Sequence, residues 1–320
     1  MPAVTAPDLL VLPRIPDLDG TAVDRPVEHL KTGVDEEPTE GFGVRRVFPA
    51  PGAGMRMADP FLLLDHRADT VLEPRTAKGR PWHPHRGFET VTYLIDGEIE
   101  HEDTHGGGGI IRGGDTQWMT AGSGIQHHES PSERLVIQGG VVQGVQLWVN
   151  LPSELKLAPP RYQDIAGSRL ALLSSQDGGA LVRVIAGEIA GHRGPGVTHT
   201  PITLAHASIA PGARLRVPWR RDFSAMAYVL SGQGSVGAER RPLVEGQIAY
   251  FGAGTALTVT AGDRQSTRTG EMEVLLLGGL PLREPLAAYG PFVMNTHDEI
   301  VQAVEDYRSG RMGVIPAAAV

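Results

Sequence analysis

Two segments concentrate the side chains that could do chemistry: His83-Pro84-His85-Arg86-Gly87-Phe88-Glu89 and, downstream, Gly124-Ile125-Gln126-His127-His128-Glu129. Along an extended strand, residues i and i+2 point to the same face, so His83 and His85 can aim both rings at one point across roughly 7 Å of backbone. His127 and Glu129 repeat that spacing. Two such pairs facing one another across a small barrel would offer three nitrogens and one oxygen to a borderline divalent cation. Coordination positions would stay open, as in a reactive or sensing metal rather than a sealed structural one. A lone histidine is more often a hydrogen-bonded structural residue than a ligand, but clustering changes the balance. Of 12 histidines, His83, His85, His101, His105, His127 and His128 share one stretch, and a sheet gains nothing structural from so many titratable rings. Pro84 has no amide donor, which places the first pair at a strand start or edge and stiffens it.

The elements that must hold these residues read as short strands. A chain of 320 residues can build two domains with proper cores. Its 41 glycines and 25 prolines, few aromatics and lack of helical periodicity until the end point to an all-β protein rich in turns. Absence of cysteine excludes disulfides, thiolate ligands and cysteine nucleophiles. A metal must then be held by nitrogen and oxygen, which suits iron, manganese, nickel, cobalt, zinc or copper(II). A formal net charge of -8 argues against unaided binding to DNA or an anionic membrane. No apolar run approaches the length of a membrane span and the start lacks a basic n-region, so a cytoplasmic protein is expected. Residues 1–40 alternate proline with Asp and Glu and are expected to form a flexible extension.

An internal repeat sets the organisation. Phe88, Tyr93 and Gly97 line up with Phe223, Tyr228 and Gly232, and Gly114 to Gly122 line up with Gly246 to Gly254 in the same order. Two copies of one small β-barrel follow, over 41–165 and 166–290, with a tail over 291–320. That tail holds a helix: Thr296 and Glu299 form a capping box, Ile300, Ala303, Val304 and Tyr307 share a face, and Gly310 follows its end. Across the alignment His83 meets Pro218, His85 meets Arg220, Glu89 meets Ser224, His127 meets Val259 and Glu129 meets Ala261, so the second copy keeps turn glycines and loses every candidate ligand. His101 meets Val236 and stays as a runner-up ligand. The run Glu100 to His105 reads as a solvated strand end, Gly106 to Gly109 lack the Gly-Lys-Ser/Thr of a phosphate loop, and His192, His199, His206 and His297 read as incidental.

His83-Pro84-His85-Arg86-Gly87-Phe88-Glu89-Thr90-Val91-Thr92-Tyr93-Leu94 and Gly114-Asp115-Thr116-Gln117-Trp118-Met119-Thr120-Ala121-Gly122-Ser123-Gly124-Ile125 resemble the pirin family of the cupin superfamily, as do Asp59-Pro60-Phe61-Leu62-Leu63-Leu64-Asp65 and Gly290-Pro291-Phe292-Val293-Met294-Asn295-Thr296. The resemblance implies a bicupin of two tandem double-stranded β-helix barrels with one divalent metal, iron(II) first, in the first barrel on His83, His85, His127 and Glu129. Glu89 takes the place of the glutamate that is a ligand in the general cupin pattern. The implied activity is that of a quercetin 2,3-dioxygenase acting with O2 on a flavonoid or related enol or catechol, with Glu129 or Glu89 as proton acceptor. A second implied role is a metal- or redox-sensing regulator read by a protein partner, and a third is a cupin isomerase acting on a sugar or keto acid.

Overall fold

The computed structural model describes residues 4–39 and 42–316. They form two barrels, each built from a seven-stranded and a four-stranded sheet. In the first, the large sheet runs Arg161–Ile165, Thr116–Thr120, Phe88–Asp96, Gly140–Asn150, Phe61–Leu72, Phe42–Phe48, Val34–Thr39. Its small sheet runs Arg80–His85, Ile125–Pro131, Glu98–Asp103, Gly108–Arg112. The second barrel repeats the order strand for strand: Val27–Thr32, Gln247–Phe251, Met226–Ser231, Met272–Gly279, Ile202–Ile209, Ala180–Ala186, Ala171–Ser174, with Arg214–Pro218, Ala256–Ala261, Gln233–Val236, Arg241–Val244 as the small sheet. The all-β, two-barrel expectation therefore holds. Among the described residues no helix is long and apolar enough to cross a membrane.

Alternation along the strands sorts side chains into layers. Ala205, Ala207, Val274 and Leu276 point into the second barrel and join Leu215, Val217, Leu257 and Val259 of its small sheet in one continuous apolar core. The opposite faces of the two large sheets pack on each other, with Val91, Tyr93, Trp118 and Leu147 from the first barrel against Leu204, Met226, Tyr228 and Leu275 from the second. Two hydrogen bonds cross this seam in a matched pair. Tyr93 Oη lies 2.9 Å from His206 Nδ1, and Tyr228 Oη lies 2.9 Å from His66 Nδ1. His206, expected to be incidental, is thus fully buried as one half of a symmetric clasp.

Three expectations need correction. The stretch 1–40 is not a loose extension where it is described. Ile15 is buried in the second core, Val27–Thr32 supplies that barrel's outer strand, and the Arg25 guanidinium donates to the carbonyls of Gly252, Arg220 and Phe223. Residues 1–3 and 40 of that stretch lie outside the described residues. Next, cross-strand register replaces three partners in the repeat. His127 pairs with His83 and Ile125 with His85, while Val259 pairs with Leu215 and Leu257 with Val217. The equivalents of His83 and His85 are therefore Leu215 and Val217, not Pro218 and Arg220, because the second copy carries a longer link into its Met226–Ser231 strand. By the same register His101, opposite Glu129, corresponds to Gly234, opposite Ala261, rather than to Val236. Finally, the run Glu100 to His105 is a solvated strand end only in part: Glu102 and His105 are exposed, but His101 and Asp103 turn inward and are 4% and 2% exposed.

The tail folds back on the first barrel. Its helix, His297–Arg308, starts with the capping box of Thr296 and Glu299 and is followed by Gly310 at φ +74°. The Val293 amide donates to the Arg86 carbonyl, and Arg86 Nη1 reaches Asp306 Oδ2 at 2.7 Å. Lys156, 1% exposed, donates to the carbonyls of Gly87 and Val293 and to Asn150 Oδ1, tying tail, turn and barrel together.

Candidate metal centre

His83 and His85 lie on the edge strand of the first barrel's small sheet, where Pro84 costs no ladder hydrogen bond that a central strand would need. His83 faces His127 directly across the ladder, and the three rings close up, with centroids 4.2 Å apart for His83 and His127, 4.9 Å for His83 and His85, and 5.0 Å for His85 and His127. Donor atoms of these three residues all lie within 4.8 Å of one another. Glu129 follows His127 after a register shift against Arg80–His85, and it groups within the same limit with His127 and His101 rather than with His83 and His85. His127 is the member common to both groups.

Each imidazole is oriented from behind. His83 Nδ1 donates to the Pro81 carbonyl at 2.8 Å, and His85 Nδ1 faces the Pro291 carbonyl at 3.4 Å. His127 Nδ1 lies 3.3 Å from His101 Nδ1, which also receives the Gln117 amide at 2.7 Å while the His101 ring stacks on Tyr162. With Nδ1 donating to a backbone carbonyl, the His83 and His85 rings keep their lone pairs on Nε2, the tautomer that second-layer hydrogen bonds commonly fix in metal sites. Burial, with added repulsion from neighbouring histidines, holds His85 and His127 well below the usual histidine value, so both stay neutral at physiological pH. The Nε2 atoms of His85 and His127 are buried with no hydrogen-bond partner among the described residues. Leaving such atoms unmatched costs about 1–3 kcal/mol each, and a cation is what converging imidazole lone pairs satisfy. His101 acts on its neighbour, holding His127, and Asp103 Oδ2 sits 3.7 Å from its other nitrogen.

Glu129 and Glu89 part company here. Glu129 Oε1 accepts from Thr92 Oγ1 at 3.2 Å, on the inward face of Phe88–Asp96. Glu89 sits on the opposite face with Val91 and Tyr93 and is fully buried, accepting from Thr120 Oγ1 at 2.7 Å and Thr198 Oγ1 at 2.9 Å. The expectation of Glu89 as an alternative base, acting from behind the candidate ligands, is therefore corrected: it faces away from them and braces the seam between barrels. The turn at Gly87, φ +89°, separates its parity from that of His85.

Beyond Glu129 lies a cavity of about 90 Å³ whose lining includes Thr92, Arg67, Arg80, Asp65 and Gln146. Burial lowers Arg67 to about 10, opposed by Glu129, which leaves it cationic at neutral pH. Asp65 is bound by both the Nε and Nη2 of Arg46. On the other side, Trp148 stacks on Phe88 at 4.3 Å and meets the His85 edge at 5.2 Å, forming an apolar wall. Sequence reading missed Thr92, Arg67, Gln146 and Trp148. The period-two run Thr90, Thr92 in an otherwise apolar strand was the available signal.

The pirin family model matches residues 41–149, and the model of the pirin C-terminal cupin domain matches residues 204–313. A Pseudomonas aeruginosa protein provisionally named a quercetin 2,3-dioxygenase is 40% identical over 278 residues, spanning 85% of this chain and 92% of its own. Human pirin is 36% identical over 285 residues, spanning 88% of this chain and 92% of its own. The crystal structure of a quercetin 2,3-dioxygenase from Acinetobacter baumannii matches with a TM-score of 0.84 at 35% identity, covering 92% of this chain and 100% of that one.

Proposed function

The chain belongs to the pirin family, whose members are bicupins, and from that premise we propose that it is a metal-dependent dioxygenase acting on aromatic enols or catechols of the flavonol kind. The observation that carries this reading is the set of three imidazoles, pinned at Nδ1 and converging through Nε2, beside a polar cavity that holds Glu129. His83, His85 and His127 would hold one divalent cation, iron(II) first, with Glu129 as the fourth donor. That cation, when bound, supplies a Lewis-acidic point at which a substrate enolate oxygen and dioxygen can be held side by side.

The chain's own residues do the rest. Glu129 takes the proton of the substrate hydroxyl, and the Thr92 hydroxyl steadies the carboxylate oxygen it faces. Trp148 and Phe88 keep water from the His85 side of the reacting ring. Arg67 and Arg80 line the same cavity and favour the anion that this proton transfer leaves on the substrate. At about 90 Å³ the cavity is smaller than the ~300–1,000 Å³ of typical ligand pockets, so single-ring catechols and enols fit it with less rearrangement than quercetin does. Oxygen uptake by iron(II)-loaded protein, with quercetin and a catechol series, tests the reading. Uptake that follows the substrate and is lost in Glu129→Gln supports it, and no uptake with any substrate or metal overturns it.

A second reading, a metal-state sensor read by a protein partner, draws on one observation. The Pro291 carbonyl touches His85 and Asp306 of the tail helix pairs with Arg86, which joins a candidate ligand to a surface helix through two short contacts.

A further inference from the structure

The seam between the barrels opens at one edge into a cleft of about 400 Å³, within the range of small-ligand pockets. Gln143 of the first barrel forms one wall, the turn at Ser231 another, and the loop around Ser266 the rim. The rim uses its polar groups to hold itself down. Gln265 Nε2 donates to the carbonyls of Gln233 and Gly262, its Oε1 accepts from the Gln233 amide, and Thr267 Oγ1 donates to the Glu271 carbonyl. Arg268 Nη2 is taken by Asp96 at 3.0 Å.

The buried lining residues Glu273 and His206 differ. Glu273 is 4% exposed, and its Oε2 accepts from Ser208 Oγ at 2.6 Å and lies 2.9 Å from His206 Nε2. Its Oε1 is buried with no hydrogen-bond partner among the described residues. Burial alone would raise this carboxyl, but His206, Ser208 and Arg183 outweigh it and hold the group below its usual value, hence ionised. A buried anionic oxygen without a donor is costly, and because Glu273 lines the cleft, a rotation of its carboxylate presents that oxygen to a donor arriving there. A divalent metal does not suit the position: Glu273 belongs to neither group of converging donors among the described residues, and the His206 Nδ1 is taken by Tyr93. What fits one carboxylate oxygen is a cation that brings its own N–H groups.

We propose that this cleft is a second ligand site, separate from the metal centre, that takes a small organic ammonium or guanidinium ion, with its cationic head donating to Glu273 Oε1 and its tail lying along Gln143 and Ser231. Isothermal titration of the full-length protein with agmatine tests it, with n-butylamine as the minimal cation and n-butanol as the uncharged control. Saturable 1:1 binding of agmatine with a Kd on the order of 1 mM or tighter is expected, unchanged in His83→Ala/His127→Ala, which keeps the outcome independent of the metal reading. Glu273→Gln should weaken it by about tenfold or more. Ser266→Trp, on an exposed rim residue outside the core, should block the mouth while leaving the circular dichroism spectrum unchanged, so the test survives if the Glu273 variant fails to fold. Absence of saturable binding, equal binding of n-butanol, or agmatine affinity unaltered by Ser266→Trp would each overturn the proposal.

Discussion

The two barrels share one strand order and differ in what fills them. In the second, the interior is one apolar cluster running from Leu215 and Val217 through Val259 and Ala261 to Val274 and Leu276. In the first, the same layer is broken into separate apolar patches, around Leu94 and Ile111, Phe88 and Leu62, and Met119 and Ile125. Between those patches sit His83, His85, His101, His127 and Glu129. The difference teaches that the barrel needs inward side chains of the right volume but not this chemistry. Leu215, Val217, Val259 and Ala261 stand in the second copy where the candidate ligands His83, His85, His127 and Glu129 stand in the first. Polar groups in the first interior therefore exact a stability cost that function has to justify.

The largest expected effect comes from removing that difference at its centre. Elemental analysis of the purified protein should give one divalent metal per chain, and His83→Ala combined with His127→Ala should bring it to background. Two equivalents per chain, or unchanged content in the double variant, would break the contrast between the barrels. Next in size is catalysis. Glu129→Gln should lower oxygen uptake by roughly a hundredfold or more if the carboxylate takes the substrate proton, while Glu89→Gln, on the opposite face of the sheet, should keep metal content and most activity. Equal losses in both variants would show that the two faces are not functionally distinct.

An exchange between the copies gives the third test. Val259→His buries an imidazole in a continuous apolar core without a partner and should destabilise the protein by roughly 2–4 kcal/mol in chemical denaturation. The reciprocal His127→Val should abolish metal binding yet leave the metal-free protein as stable as its metal-free parent or more so, because an unmatched buried polar atom is removed. A metal-free His127→Val protein clearly less stable than the parent would assign the histidine a structural role.

How much of this was legible follows from where each signal lies in the chain. His83, His85, His127 and Glu129 stand out because their spacing matches the strand period, and the capping box at Thr296 is a local pattern that needs no fold. Pairing of Val27–Thr32 with Gln247–Phe251 leaves no local mark, since a short polar strand is recruited by an edge more than two hundred residues away. Side of sheet was lost at Gly87, where a positive φ lets the chain change face, so the parity of His85 could not be carried to Glu89. Partners of His83 in the second copy were displaced because Phe223, Tyr228 and Gly232 anchor the alignment after the longer link, not before it.

The seam offers a test by pH. His66 is lowered to about 3 by burial, while an unfolded histidine titrates near 6.5. Below about pH 6.5 the unfolded chain binds a proton that the folded chain refuses, so stability falls as pH drops, by up to about 1.4 kcal/mol per pH unit for this group until its folded value is reached. Denaturation midpoints between pH 7 and 5 should show this slope, and His66→Phe should reduce it. An unaltered slope would remove His66 as its source.

The smallest effects resolve the clasp itself. Tyr93→Phe and Tyr228→Phe each delete one hydroxyl from symmetric bonds of equal length, and each should cost about 1–2 kcal/mol. The two costs should nonetheless differ. After Tyr93→Phe, His206 still has Glu273 at 2.9 Å from its Nε2. Among the described residues neither Nε2 makes a hydrogen bond, and of the two rings it is His206 that has a carboxylate close to it, so Tyr228→Phe removes the one hydrogen bond of the His66 ring with no carboxylate neighbour to replace it. Urea denaturation of both variants should therefore find Tyr228→Phe the more damaging. Equal costs would mean that the Glu273 carboxylate contributes nothing to holding His206, and with it would go the picture of a seam whose halves match in geometry but not in charge.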